Sequence, residues 1–301
     1  MNTYLDLVHQ GRNDWWRYVL AVLLILCMWQ ILGAIPSIFL LILAMANGIS
    51  MGNIGTGSLP GVDPAVSFVV LMLASVFFVL GVYLAVRLIH RRPFRTIITP
   101  ARSIAWGRLF QGFGVWFVLA GLTSVVEALL YPGRYVWTPD LEHFIPFVFL
   151  ALILVPIQTS AEEFFFRGYI LQGVGLRVRN IWALSVISGI LFMVPHFLNP
   201  EASVNYALMG LYYFSMGAFL AYITLRDGRL ELALGVHAAN NLFSALFANY
   251  TVTVMPSPSL FTVTVLDAVY SVPAALIGMV IFALLFIGLW RRKAPEGDAQ
   301  V

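Results

Sequence analysis

The sequence predicts an all-α, polytopic membrane protein of about eight transmembrane helices, and three observations predict it. Hydrophobic residues make up 60% of the 301 and charged residues only 10%, where a soluble domain carries about a quarter charged residues. Apolar runs such as YVLAVLLILCMWQILGAIPSIFLLILAMA exceed the ~20 residues that cross the hydrocarbon core. Arginines collect in alternate connections between these runs, as they do where those connections face the cytoplasm. The length leaves room for a single transmembrane domain over 1–301 and for no separate soluble one.

The first segment covers 17–46. Ala44-Met45-Ala46 resembles a signal-peptide cleavage site, but the preceding run is far longer than the ~7–15 apolar residues of a signal peptide, so the helix is retained. Cys27, the single cysteine, lies inside it and cannot form an intrachain disulfide. Spans at 65–89 and 105–130 follow, and Glu127 near the end of the latter reads as an interfacial carboxylate. The fourth segment, 143–174, is long for one crossing and is expected to tilt, to break at Pro156 or to run along the interface. Spans at 181–198, 205–225, 231–248 and 269–290 complete the set, with Glu231 and Asp267 near span ends within reach of water.

Basic residues fix the expected orientation. Arg12 and Arg17 precede the first span, and Arg87, Arg91, Arg92, Arg95, Arg102 and Arg108 follow the second. Arg177 and Arg179 follow the fourth, Arg226 and Arg229 the sixth, and Arg291, Arg292 and Lys293 the eighth. The opposite connections hold only Arg134. Both termini are therefore expected in the cytoplasm, with 291–301 a short cytoplasmic tail, and the host membrane is expected to be the cell (inner) membrane. The net charge of +3 reflects this asymmetry and gives no sign of nucleic-acid binding.

Against that background, AEEFFFRGYI (161–170) places three charges within six residues of an apolar span. An ionisable group at membrane depth costs several kcal/mol and marks a functional site or a buried partner. Glu163 and Arg167 are four apart, the spacing and order of a favourable helical ion pair. Glu162 points ~100° away and has no partner in its own segment. In ILFMVPHFLNP, Phe192 and His196 share a face, and Pro195 removes a backbone donor beside the histidine. In LALGVHAANNLFSALF, His237 and Asn241 share a face, while Asn240 points elsewhere and ranks lower. Ala238 and Ala239 between them let another helix approach closely.

Glu162-Glu163-x-x-x-Arg167, Phe192-x-x-x-His196 and His237-x-x-x-Asn241, in that order, resemble the three signature motifs of the CAAX-prenyl-protease and bacteriocin-processing (Abi) family of intramembrane endopeptidases. The resemblance spans about 143–248, the motif-bearing core. It implies an all-helical intramembrane peptidase. Eukaryotic members remove the last three residues of prenylated CAAX proteins, and prokaryotic members are linked to bacteriocin maturation or self-immunity. The implied partners are membrane lipid and a peptide or lipidated protein entering laterally between helices.

The residue types suit amide hydrolysis. A desolvated Glu162 is a strong general base, and His196 shares its water and later protonates the leaving nitrogen. His237 and Asn241 offer N–H donors to the oxyanion, while Glu163 and Arg167 hold the base in place. No cofactor is expected, although Glu162, His196 and His237 also make a plausible zinc triad from three helices without an H-E-x-x-H signature. Two other classes share the polar motifs: a non-catalytic immunity or binding protein, and a proton-coupled transporter using buried Glu and His. Counting from the turns gives one inconsistency: Glu162 and His196 lie level, roughly 25 Å from theirs, but His237 only roughly 15 Å from the turn near Asp227.

Overall fold

A computed structural model of the chain describes residues 3–46 and 63–286. The connection at 47–62, the tail at 291–301 with its three cations, and the last residues of the expected 269–290 span lie outside the described residues. Each expected span coincides with a helix. Those labelled α1 (Trp15–Ala46), α2 (Ala65–Ile89), α3 (Trp106–Leu130), α4 (Leu141–Val174) and α6 (Tyr206–Asp227) are long and apolar enough to cross a membrane. The apolar helices α5 (Ile181–His196) and α8 (Ala268–Leu284) are shorter, and α7 (Glu231–Leu246) carries polar residues throughout. Large apolar side chains such as Phe39, Leu122, Phe149, Ile153, Val280 and Leu284 face outward, the arrangement of a bundle solvated by hydrocarbon.

Pro156 does not break α4. The α-helical part runs from Leu141 to Glu163 through both Pro146 and Pro156, because membrane helices find other partners for the backbone groups that proline frees. Regular geometry gives way instead at Phe164–Ile170, a π-helical stretch that starts directly after Glu163. Another wide turn occupies Cys27–Leu32 of α1. Such widened turns often accompany functional positions.

The connections gather at two ends. At one, the Arg12 N–H donates to the His90 carbonyl and the Leu230 N–H to the Ile98 carbonyl, both at 2.8 Å, and Arg179 pairs with Asp6 at 2.7 Å. The Tyr4 hydroxyl reaches the Ile97 carbonyl at 2.6 Å and the Arg167 carbonyl at 3.2 Å. Arg92, counted above among the loop cations, is buried here and donates to Gln172 Oε1 at 2.8 Å.

The opposite end carries what the all-helical expectation omitted, a small sheet of β1 (Tyr135–Trp137), β2 (Ala248–Tyr250) and β3 (Phe261–Val263) in the order β1-β3-β2. Strand β3 pairs antiparallel with β1 and parallel with β2. Strands of three residues show no readable alternation in sequence. Beside the sheet, Arg134 bridges Glu127 at 3.2 Å and Asp267 at 2.7 Å. Its guanidinium holds the Asp267 carboxyl below the usual carboxylate range. Glu127, expected as an interfacial carboxylate, is covered by protein: it is 2% exposed and also accepts from the Tyr135 hydroxyl at 2.9 Å.

Glu231 likewise departs from expectation. It is fully buried, and its Oε1 accepts the Ala105 N–H at 3.0 Å. The segment before α3 therefore covers the first turn of α7, which starts inside the protein rather than at its surface. Helix α7 reaches its central place through close approach to α3. A β-carbon on Gly235 would collide with the Leu109 carbonyl oxygen, and one on Gly112 with the Leu232 carbonyl oxygen.

Because the obstacles at Gly235 are backbone atoms, they cannot swing aside as side chains do. Gly235→Ala is expected to destabilise the protein by about 1–3 kcal/mol, the usual cost of overpacking. Gly114→Ala on α3, where an added β-carbon meets no atom within 4 Å, serves as the control. Thermal melting in detergent checks the pair, and equal melting temperatures would refute the close α3–α7 crossing.

Candidate active site

The three sequence motifs meet. Glu162 leaves α4 two residues before its π-helical stretch, His196 ends α5, and His237 and Asn241 sit on α7. Glu162 Oε2 lies 3.7 Å from His237 Nε2 and 4.0 Å from His196 Nε2. All four side chains line a cavity of about 520 Å³ that also reaches Trp29, Phe78 and Tyr250.

The adjacent acids face different ways, as the helical rotation requires. Glu163 is fully buried behind the cavity wall, and its Oε1 accepts from Arg167 Nη1 and from His237 Nδ1, each at 2.7 Å. Arg167 Nη2 donates to the Gly217 carbonyl of α6 at 3.3 Å, and the guanidinium lies 4.3 Å from the Phe192 ring centre. The expected ion pair therefore exists, and it holds a histidine as well.

Hydrogen bonds fix the imidazoles. His196 Nδ1 lies 2.6 Å from the Phe192 carbonyl oxygen. A carbonyl only accepts, so Nδ1 carries the hydrogen and the neutral ring presents a lone pair at Nε2. The same argument applies to His237, whose Nδ1 hydrogen goes to Glu163. Both Nε2 atoms thus turn toward Glu162 Oε2, which makes no hydrogen bond to any described residue. The His196 ring is held between Phe192 and Tyr213, with ring centres 4.2 and 4.7 Å away.

Sequence reasoning missed Gln158 and misplaced Asn240. Glu162 does have a partner in its own helix: Gln158, one turn earlier, donates to Oε1 at 2.5 Å. The same i, i+4 rule that exposed Glu163 and Arg167 applies to Gln158 and Glu162, so the signal was present in the sequence. Asn240 lines the cavity and donates to Asn241 Oδ1 at 3.1 Å. Neighbouring positions on a helix diverge by ~100°, but the two short amides still reach each other across that angle.

A family model described as Type II CAAX prenyl endopeptidase Rce1-like matches residues 141–243. The chain is also 36% identical over 303 residues to the uncharacterized protein YyaK of Bacillus subtilis (strain 168), covering 100% of this chain and 99% of that one. The chain belongs to the CAAX-prenyl-protease and bacteriocin-processing family. No solved structure matches it. Membership in this intramembrane protease family, with several apolar helices, makes the chain an integral multi-pass membrane protein.

The zinc alternative can be tested on donor spacing. Ligand bonds of ~2.0–2.1 Å at tetrahedral angles set donor atoms about 3.4 Å apart. Separations of 3.7 and 4.0 Å fall between that value and the roughly 4.5 Å at which one water hydrogen-bonds both partners at ~2.8 Å. Glu162, His196 and His237 stand within a small side-chain rotation of either arrangement.

Glu163→Ala or Arg167→Ala leaves an unpaired charge in a fully buried place. Each is expected to cost about 3–5 kcal/mol, with part recovered in the double variant. Melting of the three variants in detergent or nanodiscs checks this, and a fully additive double variant would show that the two side chains do not interact.

Proposed function

We propose that the protein is an intramembrane endopeptidase that hydrolyses a peptide bond with a water activated by Glu162 and His196. The observation that carries this reading is the convergence of Glu162, His196 and His237 from three helices on one cavity wall. A water between Glu162 Oε2 and His196 Nε2 donates one hydrogen to each, since both atoms are acceptors. As its oxygen attacks the scissile carbonyl, Glu162 takes a proton. Return of that proton to the nitrogen, directly or through His196, expels the amine. Asn241 donates its amide N–H to the oxyanion. His237, held at Nδ1 by Glu163, turns Nε2 toward the same place. Such donors act strongly in a low-dielectric site.

Glu163 and Arg167 keep His237 and the base in register and take no part in proton transfer. No metal is required in this reading. The same reading places both termini in the cytoplasm of a cell membrane, supported by the arginine-rich connections that share one end of the bundle. A peptide or lipidated protein segment enters laterally from the bilayer.

The test uses proteoliposomes and an internally quenched farnesylated peptide. Glu162→Gln is expected to abolish cleavage while melting like the parent, and near-normal turnover would sink the general-base role. Asn241→Ala is expected to lower kcat by roughly 10²–10³, with little change in KM, as loss of an oxyanion donor does. Elemental analysis decides the metal question. Stoichiometric zinc that leaves together with activity, and is absent from His196→Ala, would overturn the metal-free mechanism.

A further inference from the structure

The polar side chains around Glu162 form a single directed chain. Trp116 Nε1 on α3 donates to Asn240 Oδ1 at 3.2 Å. Asn240 Nδ2 donates to Asn241 Oδ1 at 3.1 Å, and Asn241 Nδ2 donates to Gln158 Oε1 at 3.0 Å. Gln158 Nε2 completes the series on Glu162 Oε1 at 2.5 Å. All five residues line the cavity, and they come from α3, α7 and α4.

The two ends of this chain permit one direction only. An indole N–H can donate and cannot accept, whereas an ionised carboxylate accepts and cannot donate. Turning any one of the three amides over would set donor against donor on one side and acceptor against acceptor on the other. Tyr212 on α6 also donates its hydroxyl to Asn240 Oδ1, at 3.5 Å. The polarity has two consequences. Asn241 spends its oxygen on Asn240 and keeps an N–H for the cavity. Glu162 commits Oε1 to Gln158, leaving Oε2 as the oxygen beside both histidines.

We infer that Trp116, Asn240 and Gln158 are positioning residues that set the polarity of the active site. They fix which way the Asn241 amide faces and which Glu162 oxygen meets the water. The inference rests on the proposed peptidase reading for its catalytic consequence, but the chain itself is a property of the resting protein. Aligned hydrogen bonds of this kind polarise one another, so a change at Glu162 is felt at the Trp116 indole.

That coupling provides a test independent of cleavage. In nanodiscs, 15N-indole spectra contain signals from the eight tryptophans, and Trp116→Phe identifies the Trp116 resonance by its loss. Glu162→Gln is expected to move that resonance in the parent protein and to leave it in place in a Gln158→Met background. Movement in both backgrounds, or in neither, overturns the chain. With the quenched farnesylated peptide, Gln158→Met and Trp116→Phe are expected to lower kcat roughly tenfold to a hundredfold, the range that misplacement of reacting groups produces. KM and melting temperature are expected to stay at parent values, which a merely structural role would not allow. Unchanged kcat in both variants, or losses that track lower melting temperatures, overturns the positioning role. If the parent protein cleaves no such peptide, the peptidase reading falls and the indole resonance still decides the chain.

Discussion

The centre of the molecule depends on one carboxylate. Glu163 takes hydrogen bonds from Arg167 in its own helix and from His237 in α7, and Arg167 extends the set to the backbone of α6. An ion pair in so dry a place is weak support for stability as such, because desolvation offsets most of the attraction. Its force lies in the penalty for coming apart. Any shift of α4 against α7 leaves that pair intact but breaks the hydrogen bond between Glu163 and His237, in a place closed to water. Helices in a membrane lack a hydrophobic drive to associate, so an interaction that punishes displacement is an effective way to hold three of them in register.

This constraint accounts for the division of roles between adjacent acids. Rotation by one residue turns Glu163 into the protein and Glu162 into the cavity. Packing that satisfies the first leaves the second addressed, among the described residues, by Gln158 and by the two imidazoles. Those imidazoles are themselves oriented from behind, one by Glu163 and the other by the Phe192 carbonyl. The π-helical turn begins at the next residue, so the chain changes its winding just where the two carboxylates have been separated.

Much of the fold was legible because apolar length and arginine placement are one-dimensional signals. The helices fall where the hydropathy places them, and the Glu163–Arg167 pair follows from spacing along one helix. What was not legible depends on contacts between distant segments. Glu127 and Glu231 look like ordinary span-end carboxylates until the Arg134 turn and the Ala105 segment fold over them. Helix α7 looks like a membrane span interrupted by polar residues, whereas its neighbours enclose it so that its polarity faces the internal cavity. Gln158 was within reach of the spacing rule. It was overlooked because a neutral amide in an apolar run attracts less notice than a charge.

The Tyr4 hydroxyl, shared between the carbonyls of Ile97 and Arg167, carries a consequence for how the protein is made. The contact with Arg167 joins residues 163 positions apart, and closing so long a loop waits until both partners are present. Tyr4 is thus made long before its last partner and settles late. Its contact with Ile97 can form once α2 is inserted, as can that of Arg12 with His90, whereas those with Arg167 and Gln172 wait for α4 and its widened turn. Maturation at that end of the bundle is timed by the arrival of the segment that bears the two glutamates.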